Sequence, residues 1–290
     1  MFLQLIVSGI SFGSLYALIA LAMVIIYKTS EVPNFGQGEM AMISNFVAYT
    51  LLVTRGCSFA VSFLGALIFA AMLGMFLEFI FLRRAKDPNI LSLILITLGF
   101  EMVLYGLASW KWGADQKDLP FPVSDFDIIN LGPAVVSYLN IATLAITLLL
   151  MFILFLFFKY TKAGIAMKAT QQNAMAARIN GIRTNRILSL TWALSSVIGA
   201  VAGILLAPIA TLDPNLMLEP LLKGFASAVL GGMTTLVGAV LGGYILGIIE
   251  NLFGGYVSLE FKSIVAFLII VLVLCFKPSG LFARHYVRKV

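Results

Sequence analysis

An all-α membrane protein, folded as one polytopic bundle of about seven to nine membrane segments, is what this chain is expected to form. Three observations set up that expectation. Hydrophobic residues make up 61% of the 290-residue chain and charged residues 11%, against about 45–50% and about 25% in soluble domains; the mean hydropathy is +1.04. Apolar stretches of near-spanning length follow one another almost to the C-terminal end. The charges fall mainly between those stretches and cluster by sign. A water-soluble fold cannot hide so much apolar surface, so lipid is the solvent for most of the chain. Residues 1–290 read as a single membrane domain.

Crossing the hydrocarbon core takes about 20 apolar residues at a 1.5 Å rise. Segment 2–27 meets this without a charge. It lacks a basic leader region and runs too long for a cleavable signal, so it is expected to be a retained first span. Segment 41–53 is short and reaches full length only if its helix starts near Phe35. Segments 59–82, 90–110, 135–158 and 187–207 are spans in their own right. Beyond Pro208 the pattern turns irregular, with apolar pieces at 221–232, 236–252 and 261–276. The first of these would make only about 18 Å of helix. Region 221–252 is therefore expected to be a re-entrant pair, going in and coming back, which leaves seven full spans; nine crossings is the rival count. Small residues recur four apart at Gly9/Gly13, Ala70/Gly74, Gly199/Gly203, Gly238/Gly242 and Gly243/Gly247. That spacing lets helix backbones approach closely in lipid, although a chain rich in Gly and Ala also produces it by composition.

Charge sets the orientation. Loop 159–186 carries Lys159, Lys162, Lys168, Arg178, Arg183 and Arg186 and no acid, which marks it as cytoplasmic. Loop 111–133 sets Asp115, Asp118, Asp125 and Asp127 against Lys111 and Lys117 and belongs outside. Alternation then puts Arg83, Arg84 and Lys86 inside and the N-terminus outside. The basic tail, with Lys277, Arg284, Arg288 and Lys289, is expected in the cytoplasm, so the number of crossings is odd. Such flanking charge explains a basic chain without nucleic acid, for which no basic domain is present. Cys57 and Cys275 fall near opposite faces and cannot pair, and they have no metal spacing.

Catalysis finds no constellation. The single histidine, His285, lies in the basic tail. No His/Cys cluster suits a metal, no nucleophile–base pair stands out, and no GxxxxGK[ST] phosphate loop occurs. No cofactor is expected, and any ATP used in transport would be hydrolysed on another subunit. The informative residues are polar ones within spans. Pro33-Asn34-Phe35-Gly36-Gln37-Gly38-Glu39 joins helix-breaking glycines to polar side chains. It reads either as a broken helix lining a path, or as an interfacial helix start with Asn34 as cap and Glu39 in the first turn. Glu101 lies near the middle of segment 90–110, where an ionised group needs a partner or water; a structural hydrogen bond and a role in the path both fit. Glu78 is expected at the cytoplasmic edge, and Glu250 and Asn251 end the returning arm.

Within the basic loop, Ile165, Ala169, Ala176 and Ile179 share one face of a helix over 164–182, with Gly181 as its stop. Such a helix either rests on the lipid surface or docks into a soluble partner. Three function classes compete at this point: a subunit served by a separate motor, a self-sufficient secondary transporter or channel, and a membrane enzyme. The missing catalytic groups disfavour the last.

Several motifs resemble a known family. Gly13-Ser14-Leu15-Tyr16-Ala17-Leu18-Ile19-Ala20 and then Asn34 to Glu39 look like the start of LivH-type permeases of the branched-chain amino acid ABC transporter permease family. Gly164 to Arg186 is similar to that family's coupling loop, Ala226 to Gly232 with Gly238-Ala239 and Gly242-Gly243 to its later segments, and Lys277-Pro278-Ser279-Gly280-Leu281-Phe282 to its closing motif. The resemblance is collinear over nearly the whole chain. It implies an importer in the bacterial cell membrane for branched-chain or similar amino acids, with urea and short amides as cargos of related permeases. Its partners would be two cytoplasmic ATPases, a second permease (LivM-like, or this chain again) and an external binding protein. The path would be lined by Asn34, Gln37, Glu39 and Glu101. The coupling set would be Gly164, Ala166, Lys168, Ala169, Gln172, Ala177 and Gly181. Three departures stand out. The family commonly has Asn-Phe-Ala-His-Gly-Glu where this chain has Gly36 and Gln37, so a titratable group is missing. Its coupling loops carry acids where this chain has Gln172 and Asn173, which implies an acidic or neutral docking surface. Met233 to Val237 stands where relatives often have Gly and Pro.

Overall fold

The computed structural model describes residues 1–85, 89–123, 127–131 and 134–282. Lys86, Asp125 and the tail residues Arg284, His285, Arg288 and Lys289 lie outside the described residues. Among the described residues the chain forms eleven α-helices and one β-hairpin. In order these are α1 (Phe2–Ser30), α2 (Gln37–Tyr49), α3 (Phe59–Phe76), α4 (Ile90–Trp112), β1 (Ile128–Leu131), β2 (Ala134–Ser137), α5 (Tyr138–Tyr160), α6 (Lys162–Gln172), α7 (Ala174–Ile179), α8 (Thr184–Ala210), α9 (Leu218–Gly231), α10 (Leu236–Tyr256) and α11 (Ile264–Phe276). Helix α2 continues as a π-helical stretch, Thr50–Thr54, and α3 as another, Leu77–Leu82. Six helices among the described residues are long and apolar enough to cross a membrane: α1, α3 with its extension, α4, α5, α8 and α10. The chain is a polytopic helical membrane protein.

Helix α1 is apolar on every side and buried from Ser14 to Ile26, as expected for the centre of a bundle. Helices α5, α8, α9 and α10 surround it. The outer helices α3, α4, α5 and α11 turn rows of large apolar residues outward, the surface that lipid covers. The predicted small-residue spacing becomes a seam. Gly9 and Gly13 of α1 face Gly247 and Gly243 of α10, running in opposite directions. A Cβ on Gly9 would lie 2.7 Å from the Ile248 Cα, and one on Gly243 would lie 2.6 Å from the Ala17 Cα. The contact continues from Leu5 beside Gly255 to Val24, which packs with Ala239 and Leu236. Helix α10 therefore runs along nearly all of α1.

The loops gather at two ends. At one, Arg83 donates to the Asn185 carbonyl (2.8 Å) and the Ser189 Oγ (2.7 Å), Gly164 packs on the Phe157 carbonyl, and the Leu281 amide donates to the Leu230 carbonyl (2.8 Å). Lys28 and the α9–α10 turn share a cavity at this end. At the other, Gln4 pairs with both backbone groups of Val135 (2.9 and 2.7 Å), and Trp112 donates to the Thr50 Oγ1 (2.8 Å). Lys117 and Leu212 exchange backbone hydrogen bonds there (2.9 and 2.8 Å). Loops assigned to one side by charge thus meet at one end.

Several boundaries differ from the sequence expectation by a few residues, and three of the differences are informative. Helix α5 starts at Tyr138 rather than 135, because Val135 and Val136 pair with Asn130 and Ile129 in the hairpin and Ser137 caps the helix. Helix α10 runs on to Tyr256, which makes it 21 residues long. The single helix expected over 164–182 is two. Asn173, in an extended conformation, ends α6, and its Oδ1 accepts from the amides of Met175 and Ala176 to start α7. An Asx cap competes with helix continuation at that position.

Candidate functional site

Two interruptions of the helical chain meet at mid-depth. After α1 ends at Ser30, residues 31–36 turn back into the bundle, so that α2 begins deep inside it. Gln37 shows how deep. Its Nε2 donates to the Ser195 carbonyl (3.2 Å), and the Ser195 Oγ donates to the Ala22 carbonyl (2.7 Å). Ser195 lies eleven residues past Thr184 in α8, roughly 16 Å along the helix axis. Ala22 lies eight residues before the end of α1, roughly 12 Å. For a core about 30 Å thick, this is near the middle. The second interruption is residues 211–217, which run from the Lys117 end into the bundle before α9 begins. The two meet directly, since a Cβ on Gly38 would lie 3.3 Å from the Met217 Cβ and 3.2 Å from Leu221.

The polar run predicted from sequence divides in two here. Asn34 and Gln37 form a brace. Asn34 Nδ2 donates to the Gln37 Oε1 (3.0 Å), and the Ser195 Oγ lies 3.1 Å from the same oxygen. Gly199 leaves room for the Gln37 amide, and Gly203 does the same for Asn45. Asn34 makes no cap bond to α2, whose first position follows Gly36. The second half of the run opens the other way. Gly36 packs on α4 beside Thr97 and Glu101, and the Phe35 amide lies 3.4 Å from the Thr97 Oγ1. Glu39, in the first turn of α2, shares a cavity of about 220 Å³ with Glu101, Tyr105, Pro214, Asn215 and Leu218. Glu39 is 6% exposed, and its Oε2 has no hydrogen-bond partner among the described residues. A buried carboxylate oxygen without a partner is costly, so this cavity is the chemically expectant part of the bundle.

A second polar cluster pins the later helices. Lys223 of α9 lies 2.6 Å from Glu219 and 2.5 Å from the buried Glu250 of α10. Ser263, just before α11, donates to Glu219, and Lys262 reaches the Asn251 Oδ1 (3.3 Å). Glu78 is likewise matched, by Arg83 at 2.6 Å. The sequence reading missed Lys223 and Ser195. A lysine inside the short apolar piece 221–232 was a visible signal, because an intramembrane charge demands a partner. A serine in an apolar helix carries no such signal.

The α6–α7 pair presents two surfaces. Gly164, Met167, Thr170 and Ala177 are buried against the bundle, and a Cβ on Gly164 would lie 2.7 Å from the Phe158 Cα. The apolar face picked out by periodicity points away from it, with Ile165 and Ala176 exposed, Ile179 80% exposed and Ala169 half-buried. Lys168, Gln172 and Gly181 are exposed, and Ala166 is half-buried. Gly181 adopts φ +81°, which ends the pair as a left-handed stop.

Comparison with known proteins agrees with this architecture. Residues 5–274 match the family described as branched-chain amino acid transport system, permease component. The chain is 31% identical to the high-affinity branched-chain amino acid transport system permease protein LivH of Salmonella typhimurium, over all of this chain and 98% of that one. It is 30% identical to the corresponding protein BraD of Pseudomonas aeruginosa, with the same coverage. Among solved structures, PsaBC of Streptococcus pneumoniae in complex with Fab has a similar fold. The TM-score is 0.51 at 13% identity, covering 96% of this chain and 93% of that one.

Proposed function

The chain belongs to the branched-chain amino acid transport system permease family, and on that premise we propose that it forms the translocation path of an ATP-driven importer for branched-chain or other small hydrophobic amino acids. The observation that carries this reading is the meeting of two helix interruptions at mid-depth around a cavity lined by Glu39 and Glu101. Irregular backbone at that depth is tolerated where it lines a water-filled cavity, and transporters bind cargo at such half-helix junctions. Asn34 and Gln37 serve the path from behind, by holding the start of α2 against α8.

The remaining parts follow. The cavity mouth carries exposed Met102, Tyr105 and Leu218 beside two carboxylates. Carboxylates do not face lipid at that depth, which favours a second permease subunit, a sister chain or another copy of this one, closing the path there. ATP hydrolysis falls to two cytoplasmic ATPases that grip the outward face of α6–α7. Gly164 and Ala177 seat the pair on the bundle, while Lys168, Ala169, Gln172 and Gly181 with Ile165 and Ile179 meet the motor. Closure of the ATPases pushes that pair and rocks the helices as a body. An external binding protein delivers the cargo. The N-terminus lies outside and the C-terminus inside. Residues 211–231 are a broken crossing and α10 a full one, which makes nine crossings in all and satisfies the odd count that charge requires.

Reconstitution tests the reading. In liposomes the chain alone is expected to be inert, and leucine uptake should appear only with the ATPases, the binding protein and ATP. Accumulation by the chain alone under an ion gradient would establish a secondary transporter instead. Competition by excess urea or acetamide, but not by valine, would move the cargo to short amides.

A further inference from the structure

We propose that the mid-depth cavity between α2, α4 and the start of α9 holds the ammonium group of the transported amino acid, with Glu39 and Glu101 as its counter-charges; this rests on the permease reading above. Charge balance carries the argument. Among the described residues, the buried acids Glu78 (3% exposed) and Glu250 (0%) each hold a basic partner, Arg83 and Lys223. The cavity is different. Two carboxylates line it, no lysine, arginine or histidine does, and neither Glu39 nor Glu101 has an ion pair among the described residues. Glu39 is more than nine-tenths buried, and its unpartnered Oε2 belongs to a side chain that lines the cavity. Glu39, buried beside a second carboxylate, keeps its charge only at a cost that a bound cation would offset.

An organic ammonium fits that vacancy of charge better than a metal ion does. Its three N–H donors match the two carboxylates and the side-chain oxygen of Asn215 or Tyr105, all of which line the cavity. The volume of about 220 Å³ corresponds to roughly seven waters at about 30 Å³ each, which suits a molecule of fewer than ten heavy atoms. Pro214, Leu218 and Met102 supply an apolar side for its hydrocarbon part. The start of α2 lies mid-membrane, so the site is reached from either face by rocking and belongs wholly to neither.

The test uses the full chain assembled with its partners in proteoliposomes, carrying Cys57→Ala, Cys275→Ala and Met102→Cys. In the Met102→Cys protein, the rate at which a methanethiosulfonate converts the new thiol to a mixed disulfide, releasing methanesulfinate, is measured with isopentylammonium, isopentanol or potassium chloride as protectant. Isopentylammonium is expected to slow labelling at least fivefold. Isopentanol and potassium at equal concentration are expected to leave it within twofold. Glu39→Gln and Glu101→Gln should each raise the half-protecting concentration tenfold or more, while Glu39→Asp, which keeps the charge, should raise it less than threefold. Equal protection by isopentanol would make the cavity merely apolar, and equal protection by potassium would make it an inorganic cation site. Protection unchanged in both glutamine variants would remove the carboxylates from recognition. Any of these three results overturns the proposal. ATP-driven leucine uptake in the same vesicles keeps the two claims apart: uptake that persists without ammonium protection sinks this inference alone, whereas uptake that needs no ATP sinks the permease reading.

Discussion

Gln37 shows how a single buried side chain can hold the start of a helix in place. Its amide oxygen meets Asn34 and Ser195, and its amide nitrogen reaches the Ser195 carbonyl. Truncation by Gln37→Ala removes these contacts, leaving the Asn34 amide only the Met40 sulfur at 3.5 Å, while the Ser195 Oγ keeps the Ala22 carbonyl. Interhelical hydrogen bonds in membranes contribute about 0.6 kcal/mol each on average and up to about 1.7, so a loss of about 1–2 kcal/mol is expected, read as a lower midpoint of unfolding in detergent. Gln37→His should lose less, because a neutral imidazole keeps one donor and one acceptor. A histidine variant as unstable as the alanine variant would show that the brace depends on the second amide proton. Lys223 gives a larger effect. Removing one partner of a buried ion pair costs about 3–5 kcal/mol, since the other charge stays behind uncompensated. Lys223→Met is therefore expected to abolish stable insertion or lower the melting temperature sharply, and Glu250→Gln added to it should restore part of the loss. No restoration in the double variant would mean that Lys223 acts through Glu219 rather than Glu250.

Among the helices, α6 and α7 were only partly legible beforehand. The periodicity of Ile165, Ala169, Ala176 and Ile179 correctly marked an apolar face, but not that it points away from the bundle. Nor did it mark the break at Asn173, where a local side-chain cap overrides helix propensity over a distance of two residues. An outward apolar face beside a basic surface is suited to a protein partner. Ile165→Asp and Ile179→Asp are expected to reduce ATP-driven uptake at least tenfold while the unfolding midpoint of the permease and ATP turnover by the motor persist. Uptake at the parental level in both variants would remove the pair from the docking surface. The α1–α10 seam is a contrasting case. The four-residue spacing of glycines named both halves of it, yet nothing in the spacing said which half meets which.

Taken across all its helices, the bundle makes a sidedness prediction. With Cys275→Ala in place, Cys57, in the turn between the α2 extension and α3, is expected to react with an impermeant thiol reagent added outside intact cells. Reaction only after the cytoplasmic face is opened would invert every segment together, because the loops at each end are tied to one another. Composition and span length were enough to specify a membrane bundle and its main segments, since partition into lipid acts on local stretches of chain; the sign of loop charge supplies the sidedness that the thiol experiment tests. The five motifs that resemble the permease family sufficed for its class. The cavity was beyond their reach. Glu39 and Glu101 lie 62 positions apart in the chain, and Asn215 and Leu218 come from a third segment altogether. Only packing brings them around one cavity, and only packing turns Asn34 and Gln37 away from it, because hydrogen-bond satisfaction in a buried core depends on neighbours that are remote in sequence.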